Sequence, residues 1–104
     1  MMMDHMIAGL ERAEKQLSRY AKRLERAQVP NADEWEDFGG TVRFARELLV
    51  TWHTFSKAGQ EALAGFYISE LRAFSAFEEV LDEESRQACA AAAVFMEAPE
   101  AALH

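Results

Sequence analysis

The side chains best suited to chemistry in this chain, its histidines and its cysteine, do not form a recognisable catalytic or metal-binding motif. The three histidines are His5, His53 and His104, and no glutamate has a histidine three residues further on, as the di-iron sites of helical bundles require. Cys89 lies in an alanine-rich run without the flanking residues of a nucleophile motif. The sequence therefore predicts no catalytic residue, no metal site and no cofactor.

An enzyme nevertheless remains the third of three functional hypotheses, and it would be centred on His53, beside Trp52. This hypothesis requires a concave pocket in which a carboxylate such as that of Glu47 or Glu70 hydrogen-bonds to His53. A histidine at such a position is more commonly a hydrogen-bonded structural residue than a metal ligand.

Residues 33–38 combine four acidic and two aromatic side chains. On a helix the two rings are three residues apart and face one way, and the acids lie mainly on the other surface. One interpretation is an acidic surface flanking an aromatic anchor for a basic partner protein. The other is that the rings enter the core and the acids complement the helix start, and buried rings would favour it. The segment comprises Asp33, Glu34, Trp35, Glu36, Asp37 and Phe38.

Basic side chains recur at steps of three and four along the first predicted helix, opposite its apolar residues. Such a basic stripe can face phosphates or an acidic protein surface. The alternative is a solvated outer face that Glu11 and Glu25 partly neutralise. Single-stranded nucleic acid would find no stacking platform there, because no aromatic residue interrupts the series. Its members are Arg12, Lys15, Arg19, Lys22 and Arg26.

Amphipathic helices must position these side chains, as the spacing of the apolar residues predicts. Within the first 27 residues, apolar side chains recur at alternating steps of three and four, which is typical of a helix packed lengthwise against other helices. The same step recurs in a second segment. The two series are Met3, Met6, Leu10, Ala13, Leu17, Tyr20, Leu24 and Ala27, then Trp35, Phe38, Val42, Ala45, Leu49 and Trp52.

The first two helices have clear boundary signals. Good helix formers predict a first helix over residues 3–28, which Pro30 ends. Asn31 and Glu34 have the spacing of a capping box, so the second helix should begin there and extend to about residue 55.

A glycine pair, Gly39 and Gly40, lies inside the second helix and costs roughly 1 kcal/mol per glycine relative to alanine. We expect a continuous or kinked helix, because the apolar step passes through the pair without a break. The alternative is a short helix over residues 31–38 followed by a new start at Thr41.

The C-terminal half predicts two further helices, over about residues 58–80 and 83–97. Ser75 with Glu78 is a candidate capping box that would place the break between them earlier, and Asp82 is an equally good start for the last helix. The alanines of the last helix should allow a neighbouring backbone to approach closely.

Composition and charge fit one domain spanning residues 1–104, an all-α and mostly antiparallel bundle of about four helices. Half of the residues are hydrophobic, and 18 acidic against 11 basic residues give a net charge of −7, which disfavours phosphate backbones and favours basic partners. The charge is uneven: residues 1–28 carry +2 and residues 29–104 carry −9.

Several features favour a soluble, cytoplasmic protein. A single cysteine, Cys89, rules out a disulfide within the chain and fits a small buried thiol in a reducing compartment. The N-terminal residues lack a basic flank before a long apolar run, so they do not resemble a secretory signal. The longest uncharged stretch, residues 87–96, is too short to span a membrane, which takes about 20 residues.

A second apolar line on helix 2 predicts a homodimer. Phe44, Leu48 and Phe55 lie beside the first line, and the two lines make a broader apolar face than one neighbouring helix needs. The alternative is a central helix of a monomeric bundle.

The leading hypothesis is a non-catalytic regulator or inhibitor that docks on a larger intracellular protein. Its acidic surface would compete for a basic site that normally holds nucleic acid, as small phage-type inhibitors of host defence nucleases do as a class. No motif ties this chain to them. The alternative is direct nucleic-acid association through the basic stripe, with a dimer placing two stripes side by side. The acids of the leading hypothesis are residues 33–37 with Glu78, Glu79, Asp82, Glu83 and Glu84.

Overall fold

In a computed structural model that describes residues 2–99, the chain forms five α-helices and one 3₁₀ turn, and no strand occurs in that range. The predicted all-α class is confirmed, with five helices in place of about four. None of the described helices is both long enough and apolar enough to cross a membrane. The elements are α1 (Met2–Arg26), α2 (Ala32–Val50), the 3₁₀ turn (Trp52–Thr54), α3 (Lys57–Ala64), α4 (Ile68–Phe74) and α5 (Glu83–Glu97).

The helix α1 is the longest described element and packs along both α2 and α5, and α5 in turn packs against α3 and α4. Its 25 residues span about 37 Å at the rise of an α-helix, most of the 44 Å long axis of the described chain. The predicted apolar series forms its inner face, since Met6, Leu10, Ala13 and Leu17 are all buried. Ala27, the last member, is exposed beyond the helix end.

The end of α1 is set by Gln28 and not by Pro30 alone. Gln28 has a φ of 58°, in the left-handed region where glycine is usually found. Its amide donates to the carbonyl of Glu25, and the amide of Val29 donates to that of Leu24 at 2.9 Å. This is the Schellman arrangement, and it ends the helix two residues before the predicted position.

The helix α2 is continuous through its glycine pair, as expected from the apolar step. Gly39 is buried, and a Cβ added there would meet α1 only at ordinary van der Waals distances. The predicted capping box is wrong: Asn31 is the N-cap residue, but its side chain makes no capping hydrogen bond. Its backbone, at φ −94° and ψ 14°, is outside the extended region from which an N-cap side chain reaches the helix.

The predicted single helix over residues 58–80 is also wrong, because the chain bends at residues 65–67 and leaves the α-helix after Phe74. The amides of Phe66 and Tyr67 donate to carbonyls only three residues back, which tightens the chain and separates α3 from α4. Leu71 and Phe74 are thereby buried, and Phe66 is left 72% exposed. Ser75 is the C-cap residue of α4, so it caps no following helix.

The alanine-rich helix α5 approaches α1 closely, as its composition predicted. A Cβ added to Gly9 would collide with the Cβ of Ala88 and would lie 3.5 Å from the carbonyl oxygen of Glu84. The absence of a side chain at Gly9 therefore fixes how near the two helices can lie. Cys89, on the same helix, is fully buried.

Candidate functional site

The aromatic residues of the acidic segment belong to a cluster of five rings on one side of the bundle. The ring centroid of Trp35 lies 4.8 Å from that of Tyr20, 5.2 Å from that of Phe38 and 5.1 Å from that of Phe77. Phe74 completes the cluster, 5.2 Å from Phe38. Trp35 and Phe38 are half-buried against the core, which favours the structural interpretation of these two rings.

The four acids of the segment remain on the outside of α2. Asp33, Glu34, Glu36 and Asp37 are exposed. Across the described part of the chain, none of their carboxylates makes a hydrogen bond or an ion pair. The start of α2 therefore presents concentrated negative charge that no basic side chain of the described residues pairs with.

The contact between Phe77 and Trp35 brings a second acidic stretch near the start of α2. Glu78 and Glu79 follow Phe77 directly, are exposed, and make no ion pair with any described residue. The sequence separates the two acidic stretches by forty residues, and the ring contact joins them. We call the combined surface of residues 33–37, Glu78 and Glu79 the acidic face.

A groove of about 370 Å³ opens at the edge of the acidic face, beside Glu78 and Glu79, and Trp35 is the residue of the 33–37 segment that lines it. Two of its lining side chains are carboxylates and three are aromatic, and none of them is basic. Periodicity could not have located this groove, because its walls come from α1, α2 and the turns after α4. It is lined by Tyr20, Trp35, Ala76, Phe77, Glu78, Glu79 and Val80.

The other predicted acids, in residues 82–84, serve different purposes. Asp82 is the N-cap of α5, where its carboxylate accepts from the Ser85 amide at 2.9 Å. It also accepts from the guanidinium of Arg12 and, at 2.8 Å, from Gln16, both on α1. Asp82 therefore links α5 to α1 through hydrogen bonds and is not part of the acidic face.

These bonds also control the ionisation of Asp82. Desolvation by its surroundings acts to raise the pKa of the carboxyl, but the hydrogen bonds from Ser85, Gln16 and Arg12 outweigh it and hold the pKa well below its ordinary range. The N-cap function was visible in the sequence, since an aspartate preceded the last helix. The two α1 donors were not, because they depend on how the helices pack.

The basic stripe is partly neutralised, by Glu11 as the alternative interpretation expected and by Asp82, which it did not name, whereas Glu25 pairs with no described residue of the stripe. Arg12 pairs with Asp82, and Lys15 lies 3.5 Å from Glu11. Arg26 donates to the carbonyl of Lys22. Arg19 and Lys22 are exposed and make no ion pair with any residue that the structure describes.

His53 lies at the rim of a separate hollow of about 380 Å³. Glu61 and Glu97 line this hollow, and the predicted partners Glu47 and Glu70 do not. His53 makes no hydrogen bond to a carboxylate within residues 2–99, and Glu97 is paired with Arg72. No group of three or more candidate ligands that could hold a metal occurs in the same range. His104 lies outside the described residues.

The second apolar line of α2 is divided between core and surface. Leu48 is buried, and Phe44 is 51% exposed with the guanidinium of Arg43 5.2 Å from its ring centroid. Phe55 is 39% exposed. The predicted homodimer stays a prediction.

No protein-family model matches the chain, and no curated protein or solved structure is significantly similar to it.

Proposed function

We propose that this protein is a non-catalytic interaction module that docks its acidic face on a basic surface of a larger intracellular protein. It would act as a regulator or inhibitor by occluding or mimicking a nucleic-acid site, because carboxylates on a helical surface can compete with phosphates for the same arginines and lysines.

The observation that supports this proposal is the joining of two acidic stretches through the contact between Trp35 and Phe77. Six exposed carboxylates lie in these stretches, and no described basic side chain pairs with them. Like charges held together oppose folding, and a basic partner would relieve that repulsion. The chemistry available at the surface is charge complementarity, which promotes fast encounter and selects the partner.

Affinity capture from the native cell lysate with matched variants tests the proposal. In the test variant all four acids of residues 33–37 become amides (D33N, E34Q, E36Q and D37N). The control makes the same change in charge at exposed acids elsewhere (E25Q, E47Q, E61Q and E70Q). We expect the wild type and the control to capture a basic protein that nucleic acid displaces, and the test variant to lose it. Equal capture by both variants, or no captured protein, would refute the proposal.

The exposed, unpaired Arg19 and Lys22 favour one competing candidate, nucleic-acid association through α1. Titration with duplex DNA at increasing salt distinguishes the two. For binding to phosphates, the logarithm of the binding constant falls with the logarithm of the salt concentration, with a slope of roughly minus one per phosphate contact. If this candidate is correct, the wild type binds DNA and the double variant R19E/K22E does not. We expect the wild type to show no binding that is steeply dependent on salt.

A further inference from the structure

We propose that the groove in the acidic face binds an arginine side chain from a basic segment of the partner. The inference rests on the proposed function and adds to it the chemical group that is recognised and the place where it is held. Its basis is the combination of aromatic walls with carboxylates at one open groove of about 370 Å³.

The aromatic walls suit a cation. Tyr20 and Trp35 are half-buried, so part of each ring packs in the bundle and part lines the groove. Their planes meet at 74°, and the ring of Phe77, which also lines the groove, lies 5.1 Å from that of Trp35. A positive group close to such rings is attracted by their negatively polarised faces, most strongly by that of tryptophan.

The two carboxylates of the groove favour a positively charged ligand. Glu78 and Glu79 line the groove, and no described basic residue pairs with either. The basic residues within three positions of Tyr20 do not line the groove; they are Arg19, Lys22 and Arg23. A cation entering the groove therefore meets two available carboxylates.

Arginine fits this combination better than lysine. Its guanidinium is planar, stacks on aromatic rings and offers parallel N–H donors to a carboxylate. A lysine ammonium is compact and strongly hydrated, so it gains less from an aromatic wall. The same groove repels a phosphate, which separates this site from the basic stripe on α1.

The test is an NMR titration of the full chain that follows its two indole N–H signals. Trp35 lines the groove, whereas Trp52 is only 2% exposed and lies elsewhere, packed on Phe95. The probes are the capped peptides Gly-Arg-Gly-Arg-Gly, Gly-Lys-Gly-Lys-Gly and Gly-Gln-Gly-Gln-Gly. We expect the arginine peptide to shift the Trp35 signal and leave that of Trp52 unchanged, the lysine peptide to bind more weakly, and the glutamine peptide not to bind.

Variants with equal charge changes locate the binding. The variant E78Q with E79Q should weaken the arginine peptide about tenfold, and E83Q with E84Q, which alters exposed acids outside the groove, less than about twofold. Thermal unfolding of both variants establishes that they are folded. The variant Trp35→Leu lacks the indole signal, so binding to it is followed by the NMR signal of the Glu78 backbone amide. We expect this variant to bind the arginine peptide more weakly as well.

The possible outcomes separate this proposal from the proposed function. An unchanged Trp35 signal, or equal weakening in both glutamate variants, overturns the groove proposal, and lysate capture that still depends on residues 33–37 then leaves the proposed function standing. Peptide binding at Trp35 without any captured protein would support the groove proposal and refute the proposed function. Mass measurement in solution tests a further outcome. A dimer that the arginine peptide dissociates would identify a second copy of this chain as the occupant of the groove and would overturn the proposal that another protein occupies it.

Discussion

At the scale of single residues, Asp82 connects the first and last helices of the described chain. Its carboxylate caps α5 through Ser85 and accepts from Gln16 and Arg12 of α1, and its own amide donates to the Gln16 side chain at 3.1 Å. Exposed ion pairs contribute little to stability, but here one carboxylate satisfies a helix N-terminus and an interhelical contact together. A change at this residue should therefore affect two elements.

Asp82→Asn retains an oxygen that can cap α5 but removes the charge paired with Arg12, so it is expected to lower stability at pH 7 by about 1 kcal/mol at most, because the carboxylate is partly screened by solvent. Because folding lowers the pKa of Asp82, its charge stabilises the fold above the unfolded pKa near 4, and that contribution declines as the pH falls below it. The difference between wild type and variant in urea unfolding should therefore be full at pH 7 and shrink by pH 3. Glu83→Gln, at the exposed neighbouring acid, is the control. A difference independent of pH would contradict this account.

At the scale of elements, the structure assigns opposite requirements to two helical glycines. A Cβ at Gly40 would meet no atom within 4 Å, whereas one at Gly9 would collide with Ala88. The glycine pair was prominent in the sequence and Gly9 was not, because only the packing of α5 on α1 makes Gly9 necessary.

Gly40→Ala should stabilise the protein by about 1 kcal/mol through helix propensity, and Gly9→Ala should destabilise it by about 1 to 3 kcal/mol through overpacking. Chemical denaturation measures both. Adding Ala88→Gly to Gly9→Ala moves the methyl group to the facing helix, and we expect it to recover part of the loss. Equal effects at Gly9 and Gly40 would show that α1 and α5 lie further apart than described.

The end of α1 gives a second prediction at this scale. Gln28 adopts a left-handed conformation that disfavours residues with a Cβ, so Gln28→Gly should raise the free energy of unfolding by about 0.5 to 1 kcal/mol. Ala27→Gly, one residue earlier and also exposed, is the matched control and should not stabilise. If both substitutions destabilise, the helix does not end in the Schellman arrangement.

At the scale of the whole molecule, Cys89 reports on opening of the bundle. It is fully buried, and burial raises the pKa of its thiol to about 12, so the native protein should not react with iodoacetamide near pH 8. Labelling should then follow the unfolded population. A variant destabilised by about 1.4 kcal/mol should label about tenfold faster. If Cys89 were labelled rapidly and at the same rate in the wild type and the destabilised variant, α5 would open locally without unfolding of the whole bundle.

Local periodicity was sufficient to predict most of α1 and α2 and most of their buried residues, because the residues of each inner face lie along one stretch of chain. It extended α2 to about residue 55, past the observed end at Val50, because Trp52 in the following 3₁₀ turn keeps the apolar step. It was not sufficient between residues 65 and 81, where apolar residues keep their helical spacing through a bend and a series of turns. Periodicity reports which side chains are apolar, and hydrogen bonding and packing decide whether the backbone stays helical. The acidic residues were identified from local composition and charge. Their union into one face was not, since it depends on the contact between Trp35 and Phe77.

The close approach of α5 to α1 also has a consequence for synthesis on the ribosome. The inner face of α1 is made first, and the helix that covers Gly9 is made last among the described elements. At translation rates of about 5–20 residues per second, seconds pass between the two events. Throughout that interval the flank of α1 that α5 later covers is exposed, so chaperones that hold emerging chains have time to bind it before the bundle closes.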